Sequence, residues 1–206
     1  NLVTPGHFVP QIVKALDQAR KEGLTLPVVY NTSSYETVDT IKMLEGYVDI
    51  YLPDFKYTDS TYAKRYSNAP DYFDVTKAAL AEMVRQHPTP QFADKQEAAV
   101  RGIEEGIMTG GVIVRHLMLP GLLKDTKAVI RYLYETYGDS IYISIMNQYT
   151  PLPQVADIEA LNRTVTPEEY DRVLRFAERI GIERGFRQEG TAASESFIPE
   201  FDERGL

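Results

Sequence analysis

Side chains able to do chemistry stand at or just past the ends of five apolar runs in this chain. The runs cover residues 1–4, 26–30, 48–52, 111–118 and 141–146. The polar side chains at their ends are His7, Asn31, Asp54, Lys56, Arg115, His116, Asn147 and Gln148. Function in parallel α/β sheets gathers beyond the carboxyl ends of the strands, so we expect these groups to meet at one end of a sheet.

Asp54 and Lys56 flank Phe55 directly after the third run. Residues two apart in an extended segment project to the same side, so a carboxylate and an ammonium group can address one ligand here. The alternative is a local ion pair in a loop, which contributes little when it is exposed. The position at a strand end favours ligand binding. Lys56 is also a candidate Schiff-base lysine of an aldolase-like barrel.

Arg115 and His116 lie inside an apolar run, where an unpaired charge is costly. Adjacent strand residues face opposite sides of a sheet, so at most one of the two points into a barrel. An inward Arg115 could bind a carboxylate through two hydrogen bonds, whereas an outward one would pair with a carboxylate on a helix. The sequence leaves both arrangements open. His7, Asp54 and His116 could also bind a divalent metal, although no tight ligand spacing supports such a site.

Stretches long enough for helices separate the apolar runs, and this alternation predicts βα units on a mostly parallel sheet. Helical spacing or capping signals predict helices between Phe8 and Gly23, over 36–44, in two pieces within 58–86, over 94–106, over 126–137 and after Thr166. Residues 87–92 read as a loop, and Gly185 begins a last short strand. We predict a partial (β/α) TIM-like barrel over residues 1–190. Residues 191–206 form a tail that packs on the surface or is partly disordered.

Length and composition limit the kinds of protein that this chain can be. A chain of 206 residues buries roughly 70% of its unfolded surface, enough for one core. The net charge of −8 argues against nucleic-acid binding, and no apolar run approaches the length that spans a bilayer. No signal peptide is visible, so we expect a cytoplasmic protein. The chain starts with Asn1 inside an apolar run, so we expect it to be a piece of a longer protein.

Four ordered motifs give the chain a resemblance to a known family. They are NLVTPGHFVP (residues 1–10), PVVYN (27–31), VDIYLPDFKY (48–57) and IVRHLMLPG (113–121). They resemble the homologues of pyruvate formate-lyase-activating enzyme in the radical S-adenosylmethionine superfamily, and more closely an uncharacterised branch of that group. The resemblance runs from residue 1 to about residue 190 and continues into Ser196-Phe-Ile-Pro.

The resemblance implies a partial (β/α)₆ barrel that holds S-adenosylmethionine and a [4Fe-4S] cluster at its top. In the family, one electron cleaves the sulfonium to give a 5′-deoxyadenosyl radical that abstracts hydrogen, in activating enzymes from a glycine of a partner enzyme. By match of motif, Asp54, Lys56 and Arg115 would lie at the cofactor. Thr4 or His7 would replace the family's Gly-Gly-Glu contact. The remaining strand-end residues of the same pocket would be Asn31 and Gln148.

The chain departs from the family in having no cysteine. The family holds its cluster with a Cys-x-x-x-Cys-x-x-Cys loop after the first barrel strand, so this chain would begin at the second strand and could not bind the cluster or perform the radical step. We expect a fragment whose exposed amino-terminal edge strand promotes dimerisation. Two other interpretations stay open: a metal-dependent or Schiff-base barrel lyase or hydrolase, and a non-catalytic remnant that binds a partner protein.

Overall fold

Seven strands form one sheet in the computed structural model, which describes residues 1–187. The strands are β1 Leu2–Val3, β2 Val29–Thr32, β3 Ile50–Pro53, β4 Gln91–Phe92, β5 Met108–Leu117, β6 Tyr142–Met146 and β7 Gly185–Arg187. Their order is β1-β2-β3-β5-β6-β7 with every neighbour parallel, and β4 pairs antiparallel with the start of β5. The predicted α/β class with a mostly parallel sheet is therefore confirmed. The tail predicted over 191–206 lies outside the described residues.

Seven α-helices alternate with these strands within residues 1–187. They are α1 Val9–Lys21, α2 Val38–Lys42, α3 Ser60–Ser67, α4 Tyr72–Gln86, α5 Lys95–Arg101, α6 Leu123–Tyr137 and α7 Pro167–Ile180. No helix among the described residues combines the length and the apolar character needed to cross a membrane.

Local sequence signals set several helix ends. Thr166 caps α7 as predicted: its hydroxyl accepts from the Glu169 N–H at 3.2 Å, and the Glu169 carboxylate accepts from the Thr166 N–H at 3.0 Å. The helical pieces α3 and α4 separate at the predicted point, because Asn68 adopts a left-handed conformation and Ala69 precedes a proline.

Other boundaries differ from the prediction. The segment read as a loop over 87–92 contains the short strand β4. Helix α5 stops at Arg101 instead of 106, because Gly102 takes a φ of 69° and closes it. Helix α2 begins at Val38 instead of 36, since Thr37 is its N-cap and accepts from the Thr40 N–H at 3.2 Å, and it ends at Lys42 instead of 44.

The two faces of the sheet differ in burial. Residues alternate between buried and half-buried along β2, along β6 and from Val112 onward in β5. The buried set packs against residues of α4, α6 and α7 in the main core, and we call this side the covered face. The half-buried set points away from that core, and we call its side the open face. Parallel strands with helices on one side are consistent with a partial TIM-like barrel.

Candidate functional site at the carboxyl ends of the parallel strands

Arg115 joins three neighbouring strands on the open face. Its Nε and Nη2 atoms donate to Oδ1 of Asp54 at 3.0 and 2.6 Å, and Nη2 also donates to Oδ1 of Asn31 at 2.6 Å. The side chains of Arg115 and Asp54 are each 25% exposed. Of the two arrangements that the sequence left open, Arg115 therefore points inward, and its partner is a strand-end carboxylate and not a helix carboxylate.

The backbone places this ion pair. Pro53 ends β3, and Asp54 continues beside β5 as an isolated parallel bridge to Arg115. The next residue is tied in the same way, because the Phe55 N–H donates to the Arg115 carbonyl at 2.8 Å. Phe55 is fully buried, whereas Asp54 and Lys56 on either side of it are half-buried. The predicted same-side placement of this carboxylate and ammonium group follows from that alternation.

A pocket of about 330 Å³ opens beside the Arg115–Asp54 pair. Its lining combines charged and polar side chains with apolar ones. Its lining residues are Asp54, Lys56, Tyr57, Arg115, Leu117, Leu119, Met146, Gln148 and Tyr149. The predicted residues Asp54, Lys56, Arg115 and Gln148 thus share one pocket, and Asn31 reaches it through its hydrogen bond to Arg115.

The Lys56 ammonium group brings a positive charge to this pocket. Within residues 1–187 its ammonium group has no ion-pair partner, while Arg115 already neutralises Asp54. Its main-chain N–H donates to the Tyr72 hydroxyl at 3.1 Å, which holds the backbone while the side chain extends into the pocket. Two cations against one carboxylate give the pocket a net positive charge, which suits a ligand with an anionic group.

Thr4 and His7 lie in a different pocket, of about 280 Å³, at the ends of β1 and β2. The Thr4 N–H donates to the Asn31 carbonyl at 2.9 Å, and Thr4 takes a φ of 51°, which is uncommon for a residue with a Cβ. Neither residue lines the pocket of Asp54 and Lys56 among the described residues. The predicted strand-end residues therefore divide between two neighbouring pockets.

Glu36 is the prominent residue of the second pocket, and the sequence pattern did not single it out. Its carboxylate accepts hydrogen bonds from the hydroxyls of Tyr30, at 2.8 Å, and of Thr32. Gly6 leaves room for it, because a Cβ there would lie 3.0 Å from Glu36 Oε2. Burial and the neighbouring carboxylate raise the pKa of the Tyr30 hydroxyl, so that hydroxyl remains a donor.

His116 occupies the covered face and not the pocket. Its Nδ1 lies 2.7 Å from the Phe55 carbonyl and its Nε2 lies 3.1 Å from the Thr126 hydroxyl. Burial lowers the pKa of the imidazole, so the ring is neutral at neutral pH. Both ring nitrogens are engaged inside the protein, so the suggested metal site of His7, Asp54 and His116 is wrong. Residues 1–187 contain no cluster of three or more His, Asp or Glu side chains suited to a metal ion.

Comparison with known proteins relates the chain to others in two ways, although no model of a known protein family matches it. Over 178 residues it is 28% identical to an uncharacterized protein of Methanocaldococcus jannaschii. The match covers 86% of this chain and 46% of that protein, so the chain spans about half the length of the curated relative.

The second likeness is to a solved structure, a domain of pyruvate-formate lyase-activating enzyme from Bacteroides vulgatus. The TM-score is 0.57 with 13% sequence identity, and the match covers 90% of this chain and 94% of that domain. At this level of identity the likeness concerns the fold, and it agrees with the α/β architecture with a mostly parallel sheet described above.

Proposed function

We propose that this chain is the S-adenosylmethionine-binding part of a radical S-adenosylmethionine protein similar to the pyruvate formate-lyase-activating enzymes. Two kinds of support agree: the four sequence motifs, and a fold shared with a domain of such an enzyme. The observation that carries the proposal is the pocket at the strand ends. There Asp54, Lys56 and Arg115, which belong to two of those motifs, stand together with a net positive charge.

The lining of the pocket suits this ligand chemically. S-adenosylmethionine joins a zwitterionic amino-acid end to a sulfonium and a planar nucleoside base. Lys56 and the edge of the Arg115 guanidinium would bind the carboxylate, and Asp54 would face positive charge on the ligand. The apolar lining residues Leu117, Leu119 and Met146, with the rings of Tyr57 and Tyr149, would receive the base and exclude water from it.

The iron–sulfur cluster of the family does not fit this chain. Such clusters are held by cysteine thiolates, and the chain contains no cysteine. A segment outside this chain would have to supply the thiolates, and the cluster bound there would supply the electron that cleaves the sulfonium. The part of this chain is to bind and orient the cofactor. In keeping with the family, the hydrogen donor would be a glycine of a partner protein.

The direct test is S-adenosylmethionine binding, followed by isothermal titration calorimetry. We expect Lys56→Ala to weaken binding by about 1.5–3 kcal/mol through loss of a charge-assisted contact, with the midpoint of urea unfolding nearly unchanged. Lys14→Ala is the matched control, because Lys14 is exposed on α1 far along the chain from the pocket residues. Equal affinities of the two variants, or absence of binding to the unmodified chain, would contradict the proposal.

A second test concerns the cluster. Purified alone, the chain should retain no iron and should not cleave S-adenosylmethionine under reduction, because thiolate ligands are lacking. Iron content and visible absorbance after anaerobic reconstitution measure this. Stoichiometric iron–sulfur absorbance would overturn the assignment of the cluster to a segment outside this chain.

A further inference from the structure

The backbone of Phe55 is held by two consecutive residues of β5. Its N–H donates to the Arg115 carbonyl at 2.8 Å, and its carbonyl lies 2.7 Å from Nδ1 of His116. On the other side of the sheet, the Arg115 side chain binds Asp54. Arg115 and His116 therefore hold the segment 54–56 from both faces of the sheet, Arg115 from the open face and His116 from the covered face.

The contacts of His116 fix its tautomer. A carbonyl oxygen can only accept a hydrogen bond, so Nδ1 must carry the proton that points to Phe55. The ring is neutral, so Nε2 is an acceptor, and the Thr126 hydroxyl on α6 donates to it across 3.1 Å. His116 is 2% exposed, and an imidazole bound on both sides at this depth has little freedom to turn.

We propose that His116 is a positioning residue of the pocket, which fixes the Phe55 carbonyl and thereby the directions in which Asp54 and Lys56 project. Successive residues of an extended segment point to opposite sides, so a rotation of the Phe55 peptide would swing both neighbours away from the pocket. This inference rests on the proposed function for the identity of the ligand, while the positioning itself is a property of the free protein.

Two further side chains hold the segment 54–56 and the residues that follow it. The Tyr72 hydroxyl accepts from the Lys56 N–H and lies 3.1 Å from the Asp54 carbonyl. The buried Asp125 carboxylate accepts from the N–H groups of Thr58 and Asp59 at 3.1 and 3.0 Å. Tyr72 thus holds the Lys56 main chain and Asp125 holds the residues after it, while His116 contacts the carbonyl between the two charged residues.

The first test needs no ligand. Nitrogen-15 NMR of the 206-residue chain should find His116 as the neutral Nδ1–H tautomer, the less common form of histidine in water. In His116→Leu, amide exchange should rise roughly two- to tenfold more at Lys56 than at Val173 in α7, as expected for local loss of one neutral hydrogen bond. An Nε2–H tautomer, or equal acceleration at Val173, would overturn the proposal.

The second test measures S-adenosylmethionine affinity in His116→Leu and His116→Asn. Leucine removes the donor, whereas the asparagine amide can still donate toward the Phe55 carbonyl. We expect a loss of roughly two- to tenfold in the leucine variant and partial recovery in the asparagine variant. If the leucine and asparagine variants bind with the same affinity as each other, the positioning role is overturned.

If the unmodified chain does not bind S-adenosylmethionine, the proposed function fails, and the tautomer and exchange results still decide the role of His116. If His116→Leu does not fold, amide exchange in His116→Asn is compared with that in the wild type. We expect slightly faster exchange at Lys56 than elsewhere, and an equal change at all amides would overturn the positioning role.

Discussion

The covered and open faces of the sheet carry polar groups of similar kinds and use them differently. On the covered face the Tyr51 hydroxyl donates to Gln86 Oε1 at 2.6 Å, and both nitrogens of His116 are engaged. On the open face Arg115 and Asp54 form a half-buried pair beside a pocket, and Lys56 has no ion-pair partner within the described residues.

This difference means that polar groups on the two faces contribute differently to folding stability and to ligand binding. A buried polar group is costly unless it is hydrogen-bonded, so the polar groups of the covered face contribute to folding, and His116 acts on the pocket only through the backbone that it holds. A buried carboxylate on helix α4 is likewise hydrogen-bonded. Glu82 is 7% exposed, and hydrogen bonds from Arg85 and Gln86 lower its pKa to about 2. Half-exposed groups around a pocket contribute little to folding and remain available to a ligand.

The largest effect should come from matched apolar truncations on the two faces. Ile143 in β6 is 1% exposed on the covered face, whereas Ile113 in the neighbouring strand β5 is half-buried on the open face. We expect Ile143→Ala to lower the free energy of unfolding by about 2–5 kcal/mol through a cavity in the core. Ile113→Ala should cost clearly less, because its side chain is only partly removed from water. Urea unfolding measures both variants, and equal losses would break the distinction between the faces.

A smaller effect should appear as the pH falls. Burial lowers the pKa of His116 below its usual 6.5, so the unfolded chain takes up a proton that the folded protein does not. Stability from this group is therefore complete above pH 6.5 and is lost as the pH falls below it. The window is distinct from that of Glu82, whose pKa falls from 4.5 to about 2 and whose contribution is lost only below pH 4.5.

Unfolding of the wild type and of His116→Asn between pH 7 and pH 5 isolates the histidine. The free energy of unfolding of the wild type should fall more steeply with decreasing pH than that of the variant, which cannot titrate at this position. Parallel curves would mean that His116 is accessible to protons in the folded protein, and the covered face would then be less closed than its burial indicates.

The alternation of apolar runs and helices was enough to predict the parallel sheet, because period-two and helical patterns are local. It was also enough to bring Asp54, Lys56, Arg115 and Gln148 together, since the carboxyl ends of parallel strands meet at one edge. It did not predict β4, since a two-residue strand paired to the start of β5 has no pattern of its own.

The two arrangements of Arg115 could not be separated from sequence, because the facing of a strand depends on which side the helices cover. The separate position of Thr4 and His7 was missed for a related reason. A strand end fixes the edge of the sheet at which a residue lies, but the turn that follows decides which pocket it lines. Glu36 was assigned to a helix, and its two hydroxyl donors come from β2, where Tyr30 counted only as part of an apolar run and Thr32 lay beyond that run.

The smallest effect concerns the edge of the sheet at β1. This strand has only two residues; Val3 within it is 64% exposed, and Phe8, which follows it in the chain, is 61% exposed. Unpaired strand edges invite association, so we expect a weak dimer through β1. Few hydrogen bonds are available along two residues, which suggests a dissociation constant of roughly 1 mM.

Sedimentation velocity over a concentration series should show the average mass rising with concentration for the wild type. The rise should be smaller for Val3→Lys, because a charged side chain opposes edge pairing. Val100→Lys is the matched control, because it places the same charge on an exposed valine of α5. A strictly monomeric wild type at millimolar concentration, or a dimer that Val3→Lys leaves intact, would mean that this edge is not an association surface.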